Sequence, residues 1–250
     1  MRKVWEESFS VKISEVDFKN RIKTGSLFSY MQEAAANHAN NLELGYIQSF
    51  NNSELIWVLS RAKVKVYGIA GWKDELRVKT WPKGTDGLFA VRDFLIFKGN
   101  GELVCSATTS WLVLDKDTMR PKKMSDVIPE GIPINQQEHG IDEKLDKLKI
   151  ECDLPEQSHI TAAYSDIDVN RHVNNAKYID WIMDSFFGDL SMQGQLDSLR
   201  IDLLSETKLG DKITIGKGIY PENHGVYFFQ GMNHTTQKKA FTARLEWVFE

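Results

Sequence analysis

An α+β fold made of two repeats is what this sequence predicts, and three observations carry that prediction. The first is a duplicated segment. Glu15-Val-Asp-Phe-Lys-Asn-Arg-Ile22 lies over Asp166-Ile-Asp-Val-Asn-Arg-His-Val173, with Asp17 matched to Asp168 at an offset of 168 − 17 = 151. The second is that each copy is followed by apolar residues at helical spacing. The third is alternation: Ala62, Val64 and Val66 interleave with Arg61, Lys63 and Lys65, and Phe241, Ala243, Leu245, Trp247 and Phe249 with mostly polar neighbours. Period-two alternation makes sheets with one wet face, which are antiparallel; a doubly wound parallel sheet needs near-continuous apolar strands and more helices.

Taken in order, the first helix is traced by Leu27, Tyr30 or Met31, Ala34 or Ala35, His38 and Leu42, ending before Gly45 as at a helix stop. It is expected to be the longer of the two. Lys73-Asp-Glu-Leu-Arg-Val78 then resembles Gly210-Asp-Lys-Ile-Thr-Ile215, with Asp74 over Asp211 at 211 − 74 = 137. The difference, 151 − 137 = 14, places extra residues between the first helix and this strand, and the polar stretch Gln48 to Glu54 is where they are expected. Leu103 to Leu114 reads as a strand containing Cys105. Four of the six prolines (Pro121, Pro129, Pro133, Pro155) fall between the repeats, with the charged run Asp142 to Lys149, expected to be a short surface helix. The expected boundaries are an N-terminal repeat over 1–120, a linker over 121–157 and a C-terminal repeat over 158–250. In the second repeat Asn174 or Asn175 caps a helix whose buried face is Ala176, Ile179, Ile182 or Met183, and Phe186.

With 250 residues, 42% hydrophobic and 11% aromatic, the chain fills a real core as one large domain or two small ones. Lys plus Arg total 31 against 35 for Asp plus Glu, and a net charge of −4 leaves no overall footprint for nucleic acid or an anionic membrane. Cys105 and Cys152 lack CxxC spacing, which argues against a disulfide framework or a thiolate zinc site. Met1 to Ile13 has no apolar h-region, and no run of about 18 apolar residues spans a membrane. A cytoplasmic protein is expected.

The segment from Asp166 to Phe186 is the richest in chemistry. If 168–172 runs extended, Asp168, Asn170 and His172 share one face, opposite Val169, Arg171 and Val173, with the amides of the following helix start nearby. Turn and cap duty is the competing structural explanation for the same residues. Asp-x-Asp-Val-Asn-x-His-Val-Asn-Asn-x-Lys-Tyr-Ile before an apolar helix resembles the signature of fatty acyl-ACP thioesterases, best known from plants. The match is residue by residue over 166 to 182 and around Glu206 to Asp211, and in outline over both halves.

That resemblance implies a double hotdog, two repeats each with an antiparallel sheet wrapped around a long helix, the C-terminal repeat carrying catalysis and the N-terminal one shaping the acyl pocket. It implies hydrolysis of a fatty acyl thioester on acyl carrier protein (ACP) to free fatty acid, without cofactor or metal, and the lack of a transit peptide suggests a bacterial member. The family's catalytic residues map onto Asp168, Asn170, His172 and Glu206, with Glu206 or Asp168 as general base. Two carboxylates converging on one water would raise the pKa of one of them and make it a better base. Asn170 would hold the carbonyl or orient the water, His172 would hold a carboxylate or protonate the leaving thiolate, and helix-start amides near Asn174 and Asn175 are the oxyanion candidates. Many plant relatives have Cys after that Glu; this chain has Thr207, so activated water is preferred over a Thr207 nucleophile, which would need its own base.

A metal site from Asp168, His172 and Glu206 matches no standard ligand spacing. The first repeat has Arg21 opposite His172 and Ile69 opposite Glu206, and reads as chemically silent. Trp57, Trp72, Trp81, Trp111, Phe28, Phe94 and Phe97 read as core before tunnel lining. An acidic carrier would need a local basic patch, for which Arg120, Lys122, Lys123, Arg171 and Lys208 are candidates, with Lys212 and Lys217 as additions. The rival readings are an acyl-CoA thioesterase, a hotdog dehydratase acting on 3-hydroxyacyl thioesters, and a non-catalytic acyl-thioester binding protein. A homodimer stays open.

Overall fold

The computed structural model describes residues 1–44, 55–188 and 193–249. Two compact units result, Met1–Lys144 and Leu145–Glu250. The first contains β1 (Trp5–Ser10), a 3₁₀ turn (Ile13–Glu15), α1 (Thr24–Asn41), β2 (Leu55–Val66), β3 (Glu75–Asp86), β4 (Phe89–Lys98) and β5 (Leu103–Asp115). The second contains β6 (Glu156–Thr161), a 3₁₀ turn (Tyr164–Asp166), α2 (Asn175–Phe186), β7 (Gln195–Leu203), β8 (Lys212–Ile219), β9 (Val226–Asn233) and β10 (Lys238–Val248). In the first unit the strands lie in the order β1-β3-β4-β5-β2; in the second the order is β6-β8-β9-β10-β7, and the named pairs within each are antiparallel. Strand for strand these are one topology used twice, the α+β double hotdog that the sequence predicts.

Backbone hydrogen bonds repeat at the offsets read from the sequence. Ile22 N–H donates to the Ala70 carbonyl as Val173 N–H does to Thr207, and Lys73 N–H donates to Val11 as Gly210 N–H does to Ala162. Val11 N–H reaches Asp74 as Ala162 N–H reaches Asp211, and Tyr67 N–H reaches Val104 as Leu204 N–H reaches Ala240. In both units the turn before the helix is thereby tied to the loop that precedes the third strand.

Each helix buries the stripe its periodicity predicts. Leu27, Phe28, Met31, Ala34 and Ala35 of α1 are buried, with Phe9 of β1 stacked on Tyr30 at 4.5 Å. In α2 Ala176, Ile179, Ile182 and Phe186 are buried, and Phe186 packs edge-on to Tyr227 at 4.9 Å. Each large apolar side chain so buried stabilises by roughly 1.5–3 kcal/mol. Helix α1 runs 18 residues against 12 for α2. It ends at Asn41, with Glu43 in the left-handed region (φ 59°); Gly45, the expected stop, and the expected insertion at 48–54 lie outside the described residues.

Three expectations are corrected. The run Asp142 to Lys149 is not helical: the Leu148 N–H, which a helix would direct to the Lys144 carbonyl, donates to Asp202 Oδ2 at 2.8 Å, while Glu143 and Lys144 pair with Lys63 and Asp86. Trp72 is exposed rather than core, standing on the loop between β2 and β3. Phe249 is also exposed, because β10 stops at Val248 and its alternation no longer applies. Residues 135–141 belong to the first unit and pack on its strands: Gly140 N–H donates to the fully buried Asp93 carboxylate at 2.8 Å, and Trp81 Nε1–H donates to the Glu138 carbonyl.

Candidate active site

Residues 168–172 do not run extended, so the predicted shared face of Asp168, Asn170 and His172 is replaced by a closed turn. The bridge Ile167↔Val173 pinches it shut, Asp168 N–H donates to the His172 carbonyl at 2.8 Å, and Arg171 sits left-handed at φ 63°. Asp168 closes it from within, its Oδ1 accepting the Asn170 N–H at 2.8 Å and the His172 N–H at 3.4 Å. A short carboxylate accepting main-chain amides two and four residues on is the turn chemistry that Asp favours. Asn170 and Arg171 are left exposed at the tip, and His172 is partly buried at its base.

Glu206 arrives from the loop after β7. That loop is held by Asp211, whose Oδ2 accepts the Lys208 N–H at 2.9 Å and the Asn233 amide at 2.8 Å. The Thr207 carbonyl takes the Val173 N–H, so the loop is laid against the turn. The two are joined by their side chains: His172 Nε2 lies 2.7 Å from Glu206 Oε2, with Lys208 Nζ at 3.9 Å from the same oxygen. Both side chains stay partly open to solvent, so the pair has little value for stability and retains access to a ligand. Donation from Nε2–H to the carboxylate sets the tautomer, leaving a lone pair on Nδ1. Asp168 and Glu206 therefore have different partners, the first its own turn amides and the second an imidazole.

Helix α2 begins as expected, Asn174 capping it by accepting the Ala176 N–H at 2.9 Å on its side-chain oxygen. The Asn174 N–H is given to the Asp166 carbonyl, and Asn175 is the first helical residue. Of the cationic candidates, Arg171 and Lys208 flank the His172–Glu206 pair, whereas Arg120, Lys122 and Lys123 follow β5 in the other unit, with Lys122 paired to Asp115 at 2.9 Å. Lys217 turns inward and donates to the Ser185 carbonyl, and burial lowers its pKa.

One pairing was not foreseen, that of Thr207, weighed above only as a nucleophile, with Tyr178, read only as part of the motif. Thr207 is fully buried, and its hydroxyl makes no hydrogen bond of good geometry; it lies against the Tyr178 phenol from the first turn of α2. Burial pushes Tyr178 up to about 12, so it stays protonated. The signal was in the duplication, because the silent repeat has Leu27 where Tyr178 stands (178 − 151 = 27) and Ala70 where Thr207 stands (207 − 137 = 70). Neither cysteine joins the site: burial pushes Cys105 in β5 up to about 12, and Cys152 precedes β6. Among the described residues no group of three or more His, Cys, Asp or Glu is arranged to hold a metal.

The first unit makes the same turn without the histidine. Asp17 Oδ1 accepts the N–H groups of Lys19 at 2.8 Å and Arg21 at 2.9 Å, Asp17 N–H donates to the Arg21 carbonyl, and Asn20 is left-handed at φ 57°. Arg21, in the place of His172, turns back to pair with Asp17 at 3.1 Å.

A family model described as the acyl-ACP thioesterase N-terminal domain matches residues 2–132, and one described as the acyl-ACP thioesterase C-terminal domain matches residues 151–248. The chain is 29% identical over 219 residues to the chloroplastic palmitoyl-acyl carrier protein thioesterase of Cuphea hookeriana, covering 81% of this chain and 52% of that protein. It is 24% identical over 227 residues to the chloroplastic oleoyl-acyl carrier protein thioesterase of Coriandrum sativum, covering 84% and 61%. The chain spans about half the length of the first of these curated relatives. In fold it is similar to an acyl-ACP thioesterase from Bacteroides thetaiotaomicron, with TM-score 0.82 at 23% identity over 98% of both chains. It is likewise similar to the 12:0-ACP thioesterase from Umbellularia californica, with TM-score 0.79 at 20% identity over 100% and 99%.

Proposed function

The chain belongs to the acyl-ACP thioesterase family, and from that premise we propose that it hydrolyses a fatty acyl thioester carried on ACP, releasing the free fatty acid. The observation that carries the reading is the 2.7 Å contact between His172 Nε2 and Glu206 Oε2. In this mechanism Glu206 fixes the imidazole and stabilises its charged form, as a carboxylate does for histidine in hydrolytic triads. His172 Nδ1 removes a proton from water as the oxygen attacks the thioester carbonyl. The Asn170 side-chain amide, exposed at the turn tip beside His172, donates to the developing oxyanion. Collapse of the tetrahedral intermediate breaks the C–S bond, and the imidazolium returns its proton to the departing thiolate. One water is consumed, and one acid and one thiol form.

Asp168 is a positioning residue here, because its carboxylate is spent on the turn that aims Asn170 and His172. Arg171 and Lys208, flanking the pair, are the local cations that an acidic carrier meets. The N-terminal repeat, silent in chemistry, shapes the acyl pocket. Thiol release from a panel of acyl-ACPs of varied chain length, alongside the matching acyl-CoAs, tests the reading. Faster turnover of ACP thioesters is expected. Preference for CoA overturns the carrier, an enoyl product would indicate a dehydratase, and saturable binding without turnover would indicate a binding protein.

A further inference from the structure

Both repeats expose large apolar residues on the turn before the helix and the loop before the third strand, Tyr164, Val169, Leu204 and Leu209 in the second, but the first has aromatic rings at three of those positions (Phe18, Tyr67, Trp72) and ammonium groups beside each. Ile13 (64% exposed), Phe18 (58%), Tyr67 (50%), Ile69 (46%) and Trp72 (46%) all stand on the turn and loop that correspond to the His172–Glu206 platform. They are adjacent: Asn20, in the Phe18 turn, accepts the Trp72 N–H on its side chain at 3.0 Å, and Ile22 N–H donates to Ala70. Exposed singly, large apolar residues are ordinary; grouped on two joined loops, they mark an interaction site.

Lysines surround this group. Lys73 lies over the Trp72 ring at 4.6 Å, Lys65 over Tyr67 at 5.8 Å and Lys19 over Phe18 at 5.9 Å, with Lys12 and Lys23 at the ends of the turn. In the catalytic repeat the same five positions are Gly210, Asp202, Asn170, Ala163 and Asn174, and that platform's own cations, Arg171 and Lys208, stand elsewhere. Of the acids nearby, Glu15 is committed to the Tyr30 hydroxyl and the Lys12 amide, Asp17 to Arg21, and Asp74 to the Gly71 amide and Lys98, while the Glu102 carboxylate lies beside Gly68. Lys73 also holds a left-handed conformation, φ 70°, where the other repeat has Gly210 at φ 84°. A side chain kept at a backbone position that suits glycine is kept for what the side chain does.

We propose that this face of the N-terminal unit binds an anionic lipid surface. Protruding apolar residues on a turn tip and loop, each aromatic flanked by an ammonium on a flexible stem, fit the boundary between acyl chains and anionic headgroups. The inference stands apart from the hydrolytic reading, and needs no catalysis for its test.

The experiment is co-sedimentation of the full chain with vesicles of phosphatidylglycerol and phosphatidylcholine, against phosphatidylcholine alone, at low and high salt. Binding to the anionic vesicles, weakened by salt, is expected. Phe18→Ser with Trp72→Ser should lower the partition roughly tenfold or more. Lys73→Gly should lower it roughly fivefold while unfolding at no lower temperature than wild type, since it relieves the left-handed strain. A merely structural role for Lys73 would move only the unfolding temperature. No binding to anionic vesicles at low salt, or equal binding by all three proteins, overturns the proposal. So does retention of purified ACP through these same residues without vesicle binding, which would assign the face to a protein partner.

Discussion

Replacing Asp168 with Asn separates a turn organiser from a general base. The Asp168 carboxylate accepts two main-chain amides, at 2.8 and 3.4 Å, and Asn keeps an acceptor oxygen in the same place. What is lost is charge assistance: hydrogen bonds to an ionised acceptor contribute about 1.5–3 kcal/mol against about 0.5–1.5 for neutral ones. Only the shorter contact is strong, so the turn weakens by about 1–1.5 kcal/mol. Even if all of that appeared in the activation barrier, turnover would fall roughly tenfold. A general base changed to an amide loses its function outright, typically about 10²–10⁴-fold. Steady-state thiol release from acyl-ACP by Asp168→Asn should therefore stay within about tenfold of wild type, whereas Asp168→Ala, with no acceptor, should fall further and unfold earlier. A thousandfold loss in a folded Asp168→Asn protein would refute this reasoning and return the carboxylate to the chemistry.

Glu206→Gln should lower kcat by roughly 10³–10⁴, as when a histidine loses the carboxylate that holds its tautomer, with thermal unfolding unchanged; wild-type turnover would remove Glu206 from the site. Tyr178→Phe removes the phenol packed against Thr207 and loosens the loop that carries Glu206, so kcat should drop by up to roughly fivefold, with KM unchanged; a change in KM alone would show that the phenol acts on binding. Burial drives His38 from 6.5 down to about 4, with its Nε2 against the Arg2 carbonyl and its Nδ1 on Arg92. Because the folded pKa is the lower one, the unfolded chain binds the extra proton between those values. Stability from this residue is then complete above pH 6.5 and declines by about 3 kcal/mol as pH falls towards 4. His38→Gln should flatten that slope in thermal unfolding curves, and an identical slope would refute the assignment. Cys105, buried with its thiol pushed up to about 12, should resist alkylation of the native protein at pH 8, and modification of the half-buried Cys152 should leave activity intact.

Which features were legible follows from the range of the forces involved. Helices α1 and α2 and the outward alternation of β2 are local periodicities, and the chain displays them residue by residue. The duplication was legible because the same buried contacts recur at the same spacing, down to the Asp74 and Asp211 turns. Of the two readings open for 168–172, extended or turn, the alternation of Asp, Asn and His suited the first, and the turn forms because Arg171, left-handed, reverses the chain. The His172–Glu206 contact joins residues 34 positions apart (206 − 172), and it was reached through family resemblance and not through periodicity. A net charge of −4 averaged away the lysines gathered around Phe18, Tyr67 and Trp72.

Duplication supplies its own control, which a single-copy enzyme lacks. Whatever both repeats share is explained by folding, and whatever only one has calls for another reason. Asp17 and Asp168 are shared, down to the amides they accept, so the carboxylate belongs to the turn. Asn170, His172, Glu206, Thr207 and Tyr178 face Lys19, Arg21, Ile69, Ala70 and Leu27 in the other copy, and these five are the proposed chemical device. Grafting tests the division: Arg21→His with Ile69→Glu should rebuild a His–Glu contact in the first unit, since the Asp17 turn and the Ala70 carbonyl already hold both positions. If the contact forms, seen as coupled imidazole and carboxylate resonances by NMR, and Leu27→Tyr with Ala70→Thr tightens it, the scaffold and the device are separable as argued. If it forms equally well without the second pair, Tyr178 and Thr207 do not position Glu206.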